Sequence, residues 1–67
     1  MSGFGQPPAD RLIKLDEVMR RVGIGKTMIY RHIKLGRFPP PYKLSPFASR
    51  WSEREIEAWI AQVKGIG

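Results

Sequence analysis

The residues Gly23-Ile24-Gly25-Lys26-Thr27 put two glycines ahead of a lysine and a threonine, the ingredients of a backbone cradle for phosphate. A nucleotide-binding loop is spaced G-x-x-x-x-G-K-[ST], with a glycine at each end so that backbone N–H groups curl around two phosphates. Counted back from Gly25, the first of those glycines belongs at position 20, which is Arg20. The preceding DEVMRRV also has helical spacing, not the buried strand that such a loop follows. The remaining phosphate chemistry is that of a helix N-terminus, where Lys26 and the free N–H groups of the first turn attract an anion.

Charge narrows the partner. The 67-residue chain carries 12 lysines and arginines against 6 carboxylates, a formal net charge of +6. Eight of those twelve cations, Arg20, Arg21, Lys26, Arg31, Lys34, Arg37, Lys43 and Arg50, fall between Glu17 and Glu53 with no acid among them. A surface of one sign repels itself in solvent, so a phosphate backbone is its expected counter-charge.

Other chemistry-bearing residues have plainer readings. His32 is the single histidine and there is no cysteine, so zinc has no ligand set; no metal and no cofactor is expected, and His32 reads as a partly packed surface residue. Glu53, Glu55 and Glu57 open a helix whose dipole they complement, and with no pocket to perturb them no enzymatic activity is expected. Pro39-Pro40-Pro41-Tyr42 matches a ligand of WW-type domains, but it runs straight into an extended segment and is read as part of a sheet. Trp51 and Trp59 are of the type that stacks on bases, yet both fall on apolar faces and are assigned to the core.

The elements that position these residues follow from pattern. A chain of this length makes one small domain, burying about 60% of its unfolded surface, without disulfides to assist. Residues 1–10, MSGFGQPPAD, read as a flexible leader with neither a secretory pattern nor a membrane span, and 11–65 as the domain. A first helix is expected over about 16–22, capped by Asp16, with Val18 and Val22 on one face and Gly23 as the stop. A second is expected over about 26–35, with Ile29 and Ile33 inward and Gly36 as the stop. Three prolines then forbid a helix, and YKL and SRW around SPFA predict a hairpin over about 42–51 with Leu44 and Trp51 inward. Ser52 and Glu55 form a capping box for a third helix whose stripe is Ile56, Trp59, Ile60 and Val63.

At 100° per residue, Thr27, Arg31 and Lys34 point away from Ile29 and Ile33, with Tyr30 to one side. A hydroxyl, a guanidinium, an ammonium and a phenol on one face suit base edges and phosphates in a major groove. Lys26, Arg37, Lys43 and Arg50 are the candidate phosphate contacts, the last two as a basic wing that sets the register of the second helix. The plain alternatives are a solvated helix face and a hairpin that merely covers the core.

Residues 11–62, RLIKLDEVMRRVGIGKTMIYRHIKLGRFPPPYKLSPFASRWSEREIEAWIAQ, resemble the AlpA family of phage and prophage transcriptional regulators. GIGKTMIYRHIKLGRFPPPYKL is similar to the family's recognition-helix and wing segment, and RWSEREIEAWIA to its closing helix. The resemblance implies a MerR-like winged helix-turn-helix related to small excisionases, in proteins acting on DNA near mobile elements. The chain departs from the family at Gly25, where serine is usual, and at Met28, where threonine is common.

The expected fold is therefore mainly α with a small β-hairpin, a winged helix-turn-helix. The expected function is sequence-specific binding of double-stranded DNA as a cytoplasmic, nucleoid-associated regulator, with RNA polymerase or a recombinase as further partner. A monomer in solution that cooperates on adjacent DNA sites is expected. An excisionase-like architectural factor and, from another class, a module whose basic face meets an acidic protein are the rival readings.

Overall fold

The computed structural model describes residues 10–65. Apart from Asp10, the segment read as a leader lies outside the described residues.

The chain runs β1 (Leu12–Ile13), α1 (Leu15–Val22), α2 (Lys26–Lys34), β2 (Tyr42–Ser45), β3 (Ala48–Ser52) and α3 (Glu53–Gly65). Three helices and a three-stranded antiparallel sheet of order β1-β3-β2 make a winged helix-turn-helix. The helical pair closes tightly. Gly23 ends α1 in the left-handed region (φ 75°), where a side chain would be strained, and its N–H donates to the Met19 carbonyl at 2.8 Å. Only Gly23, Ile24 and Gly25 then separate α1 from α2.

Helix α2 stops in a Schellman turn. Gly36 (φ 72°) donates to the Ile33 carbonyl at 3.0 Å and Arg37 to the His32 carbonyl at 2.8 Å, so two orphan carbonyls are satisfied. Helix α1 begins one residue earlier than expected and not through Asp16. Lys14 is its cap residue, without a side-chain cap, and its carbonyl receives the Glu17 and Val18 N–H groups; Asp16 sits in the first turn as a dipole charge.

The core is Ile13, Val18, Ile29, Phe38, Trp51 and Ile56, one residue from every element except β2, with Phe38 from the connection before it. Trp51 is its centre, fully buried, with its indole N–H donating to the Pro39 carbonyl at 3.1 Å. The Trp59 indole donates to the Arg37 carbonyl at 2.8 Å, and the Trp59 ring meets Phe38 edge-on at 4.8 Å. Two tryptophans thus pin the proline-rich connection between α2 and β2, and Phe38, which has no periodic partner in sequence, plugs the core from it.

Leu44 is 57% exposed, against the expectation that it faces inward with Trp51. Tyr42 lies opposite Arg50 and Lys43 opposite Ser49, so Leu44 belongs to the pleat face of Arg50, not of Trp51. A register shift between Lys43 and Ser45 leaves Leu44 as the extra residue of a bulge. At the far end of the α3 stripe, Ile56 is buried and Trp59 and Ile60 pack on the core, while Val63 runs past it, 58% exposed.

Entry into α3 keeps half of the expected capping box. The Glu55 N–H donates to Ser52 Oγ at 3.2 Å, but the Glu55 carboxylate turns away to accept the Tyr42 hydroxyl at 2.7 Å. Asp10 completes the cap, accepting the Ser52 hydroxyl at 3.0 and 2.9 Å and the Arg54 N–H at 3.2 Å. That acceptor is brought in by β1, whose Leu12 and Ile13 pair with Ser52 and Trp51.

Candidate nucleic-acid interface

Helix α2 is set by Ile29, fully buried, and Ile33, packed on the core. These two fix its rotation, so Lys26, Thr27, Arg31 and Lys34 are all exposed, with Met28 on the same outer side. Tyr30 lies at the margin, 39% exposed, its ring meeting Trp51 edge-on at 6.2 Å. Tyr30 therefore braces α2 against β3 and leaves only part of its surface free for a ligand. Gly25 is the α2 cap residue (φ −83°, ψ 175°) and offers no side chain, so the first-turn N–H groups beside Lys26 have no side-chain cap.

Arg37 follows in the Schellman turn. Its backbone is held on both sides, by His32 and by Trp59, and its side chain is exposed. On the hairpin, Lys43 is exposed on β2 and Arg50 half-buried on β3, where its guanidinium donates to the Ser49 carbonyl at 3.0 Å. The pairing of Lys43 with Ser49 and of Tyr42 with Arg50 sends these two cations to opposite faces of the hairpin. Arg50 lines a cleft of mixed charge, with Arg11, Lys14, Arg20 and Arg21 and the carboxylates Asp16 and Glu17. Thr27, Arg31 and Lys34 thus share the outer face of α2, with Arg37 just beyond the helix, while Lys43 and Arg50 do not lie together.

The eight cations read as one acid-free stretch divide into two groups. Arg20 bonds Glu17 at 2.8 Å; Arg21 bonds Glu17 at 2.8 Å and both Glu53 and Glu57 at 2.9 Å. Glu17 is a local partner one helical turn away, whereas chain distance hid Glu53 and Glu57, which reach Arg21 from α3. The Glu17 carboxyl is held below its ordinary range, first by the Arg21 hydrogen bond, and the Arg21 guanidinium is held more firmly protonated, first by Glu17. Lys26, Arg31, Lys34, Arg37, Lys43 and Arg50 have no carboxylate within ion-pair distance among the described residues.

Of the remaining chemistry-bearing groups, His32 is half-buried with Nδ1 unpartnered. No group of three or more His, Cys, Asp or Glu among the described residues is placed to hold a metal. No helix among them is long and apolar enough to cross a membrane. Phe47, which no periodic signal singled out, stands at the hairpin tip, 96% exposed. Its position inside the turn-like SPFA was the available clue.

Comparison with known proteins gives this geometry a family. Residues 11–64 match the model of the prophage CP4-57 regulatory protein (AlpA) family. The chain is 35% identical over 52 residues to an uncharacterized protein, ORF88, of Enterobacteria phage P4, a match covering 78% of this chain and 59% of that protein. The chain therefore spans well under two thirds of that relative's length. No solved structure matches. The chain belongs to the AlpA family of phage regulatory proteins, a DNA-binding helix-turn-helix family.

Proposed function

We propose that the protein is a sequence-specific regulator of phage or prophage type that lays α2 in the major groove of double-stranded DNA and the β2–β3 hairpin against the adjacent backbone or minor groove. One observation carries the reading: of the described cations with no carboxylate within ion-pair distance, all but Lys14, Arg54 and Lys64 are on α2, on the turn after it, or on the hairpin. Thr27, Arg31 and Lys34 reach base edges or phosphates from the outer face of α2, with Arg31 suited to a guanine. Tyr30 adds an edge contact while bracing the helix. Lys26 and the first-turn N–H groups hold a phosphate, and Arg37, Lys43 and Arg50 hold others.

A single helix and a small hairpin bury about 600 to 1,000 Å² on DNA, a module that rarely finds a genomic site alone. Ile56, Trp59 and Ile60 are taken up by the core, so the long apolar helix of a stable dimer is lacking among the described residues. The protein is accordingly a monomer in solution that binds adjacent sites and gains affinity from contacts made on DNA. RNA polymerase or a recombinase is the further partner, and bending of the site for recombination is the second reading.

Footprinting on the DNA around its own gene, with bulk competitor present, tests the function. A discrete protected sequence is expected. Retention on an acidic protein with no preference among duplexes would overturn it. Equal affinity per site on one-site and two-site duplexes would overturn the cooperative assembly.

A further inference from the structure

We propose that Phe47 is a wedge that enters the minor groove of the bound duplex at the hairpin tip and partly unstacks one base step, so that the protein bends the DNA it reads. This rests on the reading of the hairpin as a DNA-contacting element. At 96% exposure Phe47 is the most exposed large apolar residue described, and it is held in place. Pro46 before it has a ring-fixed φ, and Ser45 Oγ accepts the Phe47 N–H at 3.2 Å, a side-chain-closed turn. Leu44, pushed outward by the bulge, extends the apolar tip.

Size decides between occupants. One phenyl ring offers roughly 150 to 250 Å². A standing protein–protein contact needs about 800 Å² from each partner. A base-step wedge needs a single such side chain, and Phe, Leu and Pro are the types that serve. Charge agrees, since no carboxylate occurs on either hairpin strand and Lys43 is exposed on β2 near the tip. The minor groove, about 6 Å wide, admits the tip but not the body of a two-stranded ribbon, so the insertion is shallow and the phenyl leads it.

The test uses the full chain on its footprinted site, with donor and acceptor dyes at the duplex ends and 2-aminopurine placed in turn at the steps facing the hairpin. Wild type should shorten the end-to-end distance and raise fluorescence at one step. Phe47→Ala should lose both signals while keeping the footprint and the salt dependence, and Phe47→Leu should keep part of each. Phe47 touches no core residue, and an unchanged melting curve for each variant checks this. A bend that survives Phe47→Ala overturns the wedge. So does a straight duplex under wild type, or a variant that loses only cooperativity between adjacent sites, which would place Phe47 between neighbouring copies. A wild type with no sequence-specific footprint would instead remove the DNA reading on which the wedge rests.

Discussion

Arg20 and Arg21 on α1 and Arg31 and Lys34 on α2 lie one helix apart in the chain, yet the two helices treat their cations in opposite ways. On α1, Arg21 is the hub of a network that joins Glu17 to Glu53 and Glu57 and so ties α1 to α3. On α2, no carboxylate stands within reach of Arg31 or Lys34 among the described residues. The first arrangement spends charge on joining elements of the fold, and the second leaves charge for a partner. A cation's availability is thus decided both by an acid one helical turn away, as Glu17 is for Arg20 and Arg21, and by the element the fold lays beside it, as α3 is for Arg21.

The largest consequence is in salt. If the six open cations of α2, the turn after it and the hairpin each meet a phosphate, log K should fall against log salt with a slope of about −5, roughly a thousandfold between about 50 and 200 mM. Arg21→Met should leave that slope unchanged, whereas Lys26→Ala or Lys43→Ala should each reduce it by about 0.9. Filter binding or anisotropy across a salt series reads this directly. An equal loss of slope from Arg21→Met would erase the distinction between the two regions.

Next in size is readout. Arg31→Ala should weaken the specific site by about 1 to 3 kcal/mol and relax preference at one base position. Lys43→Ala should weaken all sequences alike. If Arg31→Ala costs as much on random duplex as on the specific site, Arg31 holds phosphate and the reading face of α2 is misassigned.

The outer face of α2 was legible in the sequence because helical periodicity alone determines it: once Ile29 and Ile33 are inward, Arg31 must point out. Gly23 and Gly36 were legible as stops for an equally local reason, since only glycine takes a positive φ freely. The hairpin was legible as an element but not in its facing, because register depends on a bulge and on pairing across strands, which alternation within YKLS cannot reveal. Strand β1, two residues paired with Ser52 and Trp51 some forty positions away, has no local signature at all. Its consequences were hidden with it, namely the Asp10 cap on α3 and the freeing of Glu55 to hold Tyr42. The same blindness to distant neighbours counted Arg21 in the acid-free stretch although Glu53 and Glu57 reach it from α3.

A smaller effect follows from the paired region and appears in stability against pH. The Glu17 carboxyl lies below its ordinary 4.5, chiefly through the Arg21 hydrogen bond. Its contribution is therefore complete above about pH 4.5 and is lost as pH falls through the lower folded-state value. The Tyr42 hydroxyl is raised above 10.0 by its bond to Glu55, so its contribution holds below that value and is lost as pH rises through the folded-state one. Melting curves should show wild type weakening at both extremes, Arg21→Met flattened on the acid side and Tyr42→Phe on the alkaline side. Unchanged acid sensitivity in Arg21→Met would mean that the network does not persist in solution.

The smallest effect lies where the open region begins. Gly25 has the extended backbone that a cap residue requires, φ −83° and ψ 175°, and a Cβ built there meets nothing within 4 Å. Gly25→Ser therefore adds a hydroxyl that accepts the Met28 N–H without strain, and it narrows the unfolded chain's freedom. The gain should be a few tenths of a kcal/mol. For a domain of this size that is about 1 to 3 °C in Tm. The same hydroxyl takes up a donor that otherwise faces the ligand. If a DNA phosphate sits at this helix end, affinity should not rise along with stability, and the two measurements separate folding from binding at one position. A Tm that stays level or falls would show that α2 does not start at Lys26, and that the phosphate contact assigned to its first turn must be placed elsewhere.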